Sequence, residues 1–137
     1  MSLSDINTYI SLKATLQSQI TADDTVTNIQ STLTSIAAQK VTILTNLPSS
    51  TVLDTLSLAT TNDKVNFIST VQSCKVNDTT LFQMLIGWYL RVDGQLIIET
   101  NPTIIADLMT KESQIIPIIK NTLPTNQLNL IKFIIEN

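Results

Sequence analysis

The feature that most constrains this chain is a run of residues at helical spacing between Thr21 and Leu47. Steps of three and four residues separate its members, which is the spacing of one helix face and differs from the alternation of a strand. All but one of the members are apolar, and they are Val26, Ile29, Leu33, Ile36, Lys40, Ile43 and Leu47. The run predicts a long helix with one side covered by other parts of the protein.

This helix is expected to depend on packing, because the segment is rich in Thr, Ser, Asn and β-branched residues. Relative to Ala, such residues together cost on the order of 5 kcal/mol in helix propensity. Burial of its apolar side chains, at roughly 2 kcal/mol each, would more than offset that cost. The segment is therefore predicted to be helical only where neighbouring elements shield it from water.

Residues 1–47 are predicted to form a long antiparallel hairpin of two helices. Capping boxes are predicted at Ser2 with Asp5 and at Thr21 with Asp24, each at the start of an apolar periodic segment. The pattern favours a globular bundle over a free rod, because the apolar stripe is wide and its flanks carry no charge. Whether the two long helices pack within one chain or between chains stays open at this point.

Two lysines lie within this apolar pattern. If the chain turns around Ala22 and Asp23, Lys40 comes level with Asp5, and the two are predicted to form an ion pair. The alternative is that Lys40 extends into solvent at the edge of the stripe. Lys13 also falls within the apolar arc of its helix and has no evident partner in the sequence.

Residues 48–137 are predicted to form shorter helices that complete a bundle. Pro48 ends the long helix, and further helices are expected to begin at Ser49 or Ser50, at Asn62, and at Asn77 or Asp78. Their predicted inward residues are Val52, Leu53, Leu56, Val65, Ile68, Val71, Leu81, Leu85 and Trp88.

The segment 88–99 leaves two alternatives open. Asp93-Gly94 between apolar runs is typical of a β-hairpin, so two short strands could pair there. Alternatively, a helix ends with Gly94 just beyond its last turn, and this interpretation is favoured.

Beyond this segment, Asn101-Pro102 predicts the start of another helix. Pro117 is expected to kink or interrupt that helix, and a terminal helix is predicted to restart at Thr122 to Pro124. The inward residues of the terminal helix are predicted to be Leu128, Ile131 and Ile135. The predicted fold class is all-α, a helical bundle in a single domain over residues 1–137.

The charge, the N-terminal sequence and the length of the apolar runs argue against a nucleic-acid-binding, an exported or a membrane-spanning protein. Charged residues are 14% of the chain, the net charge is −3, and the Lys and Arg residues form no basic run, so nucleic-acid binding is not expected. The N-terminal residues lack the pattern of a signal peptide, and no apolar run reaches the roughly 20 residues of a membrane span. Cys74, the single cysteine, is expected to be a core thiol. The expected location is the cytoplasm or a virion.

No catalytic, cofactor or metal site is predicted. The chain has no histidine, which removes the usual general base and the commonest metal ligand, and its two glycines form no phosphate-binding loop. An enzyme that uses carboxylates for acid–base catalysis would require two acidic side chains from one set of five residues to lie in the same pocket. That set is Asp54, Asp93, Glu99, Asp107 and Glu112.

The function predicted from these patterns is a structural or interaction protein, a subunit of a larger assembly and most concretely a virion or phage-particle component. Its partners would be copies of itself, in trimers or larger bundles, or other subunits. The candidate interface residues are Val26, Ile29, Leu33, Ile36, Lys40, Ile43, Trp88 and Tyr89. The alternative is a monomeric adaptor that binds a peptide or an apolar ligand in a groove lined by Leu85, Trp88 and the terminal helix.

Overall fold

The computed structural model describes residues 3–47 and 60–136, which form helices and, within those ranges, no strand. The longer helices are α1 (Leu3–Thr21), α2 (Val26–Asn46), α3 (Thr61–Lys75), α4 (Thr79–Ile98) and α5 (Pro102–Thr122). Two short helices follow, α6 (Thr125–Leu128) and α7 (Lys132–Ile135), joined by a 3₁₀ turn at Asn129–Ile131. The predicted all-α helical bundle is confirmed; the predicted helix after Pro48 lies outside the described residues.

Among the described helices, α1 and α2 have the most extensive contact with each other. The turn between them uses a left-handed backbone at Asp23, whose φ is 54°, a conformation that Asp tolerates better than most residues. Helix α2 is capped by Thr25, whose hydroxyl accepts a hydrogen bond from the Asn28 amide at 3.1 Å. The cap predicted at Thr21 is therefore wrong, because Thr21 is the last residue of α1.

Helix α2 buries one side and keeps its polar side chains hydrogen-bonded on the other. Ile29, Leu33, Ile36 and Ile43 are buried, which at roughly 2 kcal/mol each offsets the weak propensity of the segment. Hydroxyls on this helix donate back to carbonyl oxygens one turn earlier, as Thr34 does to Gln30 at 3.0 Å. The helix thus combines a buried aliphatic stripe with a neutral polar outer side.

Helix α4 contradicts both alternatives for residues 88–99. It runs without a break through Asp93 and Gly94 to Ile98, so there is neither a β-hairpin nor a helix end at Gly94. Leu81, Leu85, Trp88 and Val92 recur at steps of four and three and are all buried. Burial of this face outweighs the cost of one glycine, roughly 1 kcal/mol in a helix interior.

Helix α3 presents a different face from the predicted one. Its buried residues are Phe67, Thr70 and Cys74, whereas Val65 and Ile68 are exposed. The apolar residues of this helix fall on both sides, so periodicity alone could not choose between them. Tertiary contacts with α1 and α2 decide the orientation.

Helix α5 begins as predicted and continues further than predicted. Asn101 accepts a hydrogen bond from the Thr103 amide at 2.9 Å and Pro102 is the first helical residue, which confirms that start. Pro117 lies inside the helix without interrupting it. After α5, Ile131 and Ile135 are buried as predicted and Leu128 is half-buried.

Candidate interaction surfaces

Most of the candidate interface residues lie in the core of the chain itself. Among those on α2, Ile29, Leu33, Ile36 and Ile43 are buried, Val26 is half-buried, and Lys40 is exposed. The buried four pack within the cluster to which α1, α3, α4 and α5 contribute. The apolar stripe of α2 therefore packs in the core of the chain.

The two aromatic candidates also face inward. Trp88 is almost fully buried, together with Leu85, so neither residue lines an accessible groove in the described part of the chain. The Tyr89 hydroxyl donates to Glu112 Oε1 at 3.0 Å and so connects α4 to α5. Burial, with the hydrogen bond to the Glu112 carboxylate, raises the pKa of Tyr89 to about 12. This tyrosine stays protonated and holds two helices together.

The predicted ion pair between Asp5 and Lys40 is not formed. Lys40 is in no ion pair within the described residues, while its neighbour Gln39 donates to the Asp5 carbonyl oxygen at 2.8 Å. This hydrogen bond places the later part of α2 beside the start of α1. Lys40 is exposed and is one of the residues that line a cavity.

A buried polar cluster joins α1 to the start of α4. Asp78 caps α4 by accepting a hydrogen bond from the Leu81 amide at 3.0 Å. It also accepts from the Tyr9 hydroxyl at 2.5 Å and from Lys13 Nζ at 2.8 and 2.9 Å. Thr80 donates to the same carboxylate at 2.8 Å. Both oxygens of Asp78 are thus occupied by donors from two helices.

The electrostatics of this cluster follow from burial and from its donors. Burial by itself would raise the pKa of Asp78, but the hydrogen bonds from Lys13, Tyr9, the Leu81 amide and Thr80 outweigh it and lower that pKa. Burial, reinforced by the Asp78 carboxylate, raises the pKa of Tyr9. Burial likewise raises the pKa of the Cys74 thiol, which lies beside Tyr9. The cluster therefore contains a carboxylate, an ammonium and a neutral phenol, and the first two balance in charge.

The exposed side of α4 carries four residues in a regular pattern. Gly87, Leu90, Gly94 and Ile97 follow one another at steps of three, four and three, so they share one face of the helix. Leu90 is 52% exposed and Ile97 is 76% exposed. A Cβ atom built on either glycine would meet nothing within 4 Å. We call these four residues the outer face of α4.

Sequence interpretation missed both the polar cluster and the outer face. Lys13 had no evident partner because its partner, Asp78, is 65 residues away in the chain. The outer face is not evident from the sequence when Gly94 is interpreted as the end of the helix. The signal was nevertheless present, since the only two glycines of the chain are seven residues apart and alternate with Leu90 and Ile97.

Comparisons with known proteins add no family to these observations. No family model, no curated protein and no solved structure matched the chain, so its surfaces are interpreted from their own residues. No helix in the described ranges has the length and apolar character needed to cross a membrane. Among those residues, no three His, Cys, Asp or Glu side chains come together in a group that could hold a metal ion.

Proposed function

We propose that this chain is a non-enzymatic structural or interaction protein that associates with a second copy of itself through the outer face of α4. The observation that carries the proposal is the alternation of glycine with a large apolar residue on an exposed helix face. The longest apolar stripe of the sequence, on α2, is largely buried within the chain and is therefore not offered as the contact.

Packing among the described residues does not require glycine at either position. Glycine in a helix interior costs roughly 1 kcal/mol relative to alanine, and both sites have room for a methyl group. Glycine is valuable on a helix surface where another backbone approaches closely, because it leaves a hollow for a side chain of the partner. Contact with a partner helix would therefore explain why glycine occupies both positions, which the packing of the described residues does not explain.

The outer face of α4 is complementary to itself. When two copies of the helix are placed antiparallel about a two-fold axis, Leu90 of one protomer lies opposite Gly94 of its partner. In the same register, Ile97 lies opposite Gly87, so each large side chain meets a hollow. Two-fold dimers use one self-complementary patch in this way, and they are the commonest symmetric assemblies.

The charge distribution on this side of α4 is compatible with close contact. Arg91 is already paired with Asp23 at 2.9 Å, and none of the four residues of the outer face is ionisable. Docking would thus bury apolar area without leaving a charge unpaired. Ile98, which is also exposed beside Ile97, would extend the apolar contact. A single helix pair is at the low end of specific interface sizes, so we expect association that depends on protein concentration.

A swap of two residues tests the proposal. Gly94→Leu should block the dimer because two leucines would collide, and Leu90→Gly should weaken it because two hollows would face each other. The double variant L90G/G94L restores one leucine opposite one glycine without changing the composition of the helix. Sedimentation velocity over a range of concentrations should therefore show dimer for the wild type and the double variant, and mainly monomer for both single variants.

The control is Ala38→Leu, which adds the same side chain on an exposed position of α2 and should leave association unchanged. Circular dichroism verifies that each variant remains helical. A wild type that stays monomeric at millimolar concentration would refute the proposal, and so would a double variant that behaves like the single ones.

The concrete form of this proposal is a virion or phage-particle subunit, led by an antiparallel hairpin of α1 and α2. What supports it is a surface of hydroxyls and amides with little charge, which provides weak electrostatic repulsion between neighbouring copies. Mass spectrometry of purified particles from cells that produce the chain would detect it as a stoichiometric component. Its recovery only as a free protein in the cytoplasm would exclude this form.

A further inference from the structure

A cavity of about 300 Å³ lies where the middle of α2 meets the connections from α3 to α4 and from α5 to α6. Its buried apolar lining is formed by Leu33, Ile36, Leu81 and Leu123. Its size is at the lower end for small-molecule sites, which are mostly apolar and carry a few polar groups that orient the ligand. The polar groups of this cavity therefore indicate what it could bind.

Gln127 contributes a buried amide to the cavity. The residue is 5% exposed, and its side chain has no hydrogen-bond partner among the described residues, although its backbone amide is bonded to Asn126. The Gln127 amide is thus available to donate to, or accept from, a molecule in the cavity.

Lys40 contributes a positive charge to the lining of the cavity. It is exposed, it lines the cavity, and it is in no ion pair within the described part of the chain. The one carboxylate in the cavity wall, Asp78, is already neutralised by Lys13 and accepts further hydrogen bonds from Tyr9 and the Leu81 amide. Among the described residues that line the cavity, Lys40 carries the charge without an ion-pair partner, so the cavity is complementary to a single negative charge.

We propose that this cavity binds a small monocarboxylic acid with an apolar body. The apolar body packs against Leu33, Ile36 and Leu81, while the carboxylate takes an ion pair from Lys40 and a hydrogen bond from the Gln127 amide. The size of the cavity favours a body of medium length over a long acyl chain. This site is separate from the outer face of α4, because Leu81, near the start of that helix, is the residue that α4 contributes to it.

Octanoate is a suitable probe, and octan-1-ol is its uncharged counterpart with the same chain length. Titration of the full chain, followed by ¹H–¹⁵N correlation spectra, should shift the amide signals of Leu81, Leu123 and Gln127 with octanoate. Octan-1-ol should bind about fivefold more weakly, since an ion pair at an exposed mouth adds a modest increment. No shifts at these amides up to the solubility limit, or equal affinity for both probes, would overturn the proposal.

Substitutions assign the contributions of single residues. Lys40→Met keeps the apolar stem and should lower octanoate affinity about fivefold, without affecting octan-1-ol. Gln127→Leu removes the amide that would hydrogen-bond the carboxylate and should weaken octanoate binding. An octanoate affinity unchanged by both substitutions would contradict the assigned roles.

Two further variants separate binding in the cavity from binding elsewhere. Ala37→Trp adds bulk at an exposed position of the cavity mouth and should block both probes while leaving the fold intact. Lys111→Met removes a lysine of α5 that does not line the cavity and should leave both affinities unchanged. If Ala37→Trp still binds octanoate like the wild type, the cavity is not the site.

Discussion

Two polar links join α4 to the region of α1 and differ mainly in their access to water. At the start of α4, Asp78 binds Lys13 and Tyr9, and the side chains of the ion pair are 7% and 16% exposed. Further along, Arg91 Nε donates to Asp23 Oδ1 at 2.9 Å, with side chains 42% and 44% exposed. Each link pairs an aspartate with a basic side chain, and each joins α4 or its cap to α1 or the turn that follows α1.

The difference in exposure decides what each link contributes. When a buried partner is lost, the remaining groups are left without hydrogen bonds and without water to replace them. When an exposed partner is lost, water solvates the remaining charge, and the pair contributes between 0 and about 1 kcal/mol. The Asp78 cluster should therefore fix how α1 and α4 pack, whereas the Arg91 pair should add little.

The largest effect is expected for Asp78→Ala. The substitution removes the cap of α4 and leaves the Tyr9 hydroxyl and the Lys13 ammonium without their acceptor, so we expect a loss of about 3 kcal/mol in the free energy of unfolding. Urea denaturation monitored by circular dichroism measures it. Asp78→Asn, which retains an acceptor for Tyr9 and for the Leu81 amide, should lose less. A loss for the alanine variant no greater than the roughly 1 kcal/mol of a cap alone would show that the cluster is dispensable.

The Asp78 link should also weaken with acid. Because the pKa of Asp78 is lower in the folded chain than its ordinary value of 3.8, the unfolded chain takes up the proton first. Stability from this group is complete above about pH 4 and is lost as the pH falls through the folded pKa. Unfolding measured between pH 7 and pH 2 should therefore show a steeper decline for the wild type than for Asp78→Asn. Parallel curves would mean that Asp78 does not titrate as described.

Tyr9→Phe should have a smaller effect, about 1.5 kcal/mol, because it removes one hydrogen bond to a carboxylate and keeps the packing of the ring. The variant should also differ from the wild type in the pH dependence of its stability, and this difference should occur at alkaline pH. The pKa of Tyr9 is raised from 10.0, so the unfolded phenol ionises first and wild-type stability should fall as the pH rises above about 10. The phenylalanine variant should lack that part of the decline. An identical alkaline decline in both proteins would assign it to other groups.

The two links also differ in how far sequence could anticipate them. The sequence predicts Asn77 or Asp78 as the cap of α4, because Asx residues before an apolar run accept hydrogen bonds from the free amides of a helix start. The second role of Asp78 depends on which side chains of α1 face it, and that is fixed by packing between segments far apart in the chain. Lys13 accordingly had no predicted partner, and the Arg91 pair was not predicted either.

Local patterns succeeded where one face of a helix dominates and failed where two interpretations had similar support. The spacing from Val26 to Ile43 identified α2 and its buried side, because no other period fits. Asp93-Gly94 suggested a turn, yet burial of Trp88 and Val92 keeps the helix intact through it. The outer face of α4 could be seen only once that helix was known to continue to Ile98.

The smallest effect is expected for the exposed link. Arg91→Met removes the pair with Asp23 and the hydrogen bond to the Thr21 carbonyl but retains an apolar stem, so we expect a loss of about 0.5 kcal/mol. Because salt screens exposed charges, the difference from the wild type should shrink further in 1 M NaCl, whereas the cost of Asp78→Ala should remain. Thermal melts of both variants at low and high salt measure the two trends. A solvated ion pair has no physical source for a contribution above about 1.5 kcal/mol. If Arg91→Met lowers the free energy of unfolding by more than that, and the loss does not depend on salt, exposure is not what distinguishes the two links.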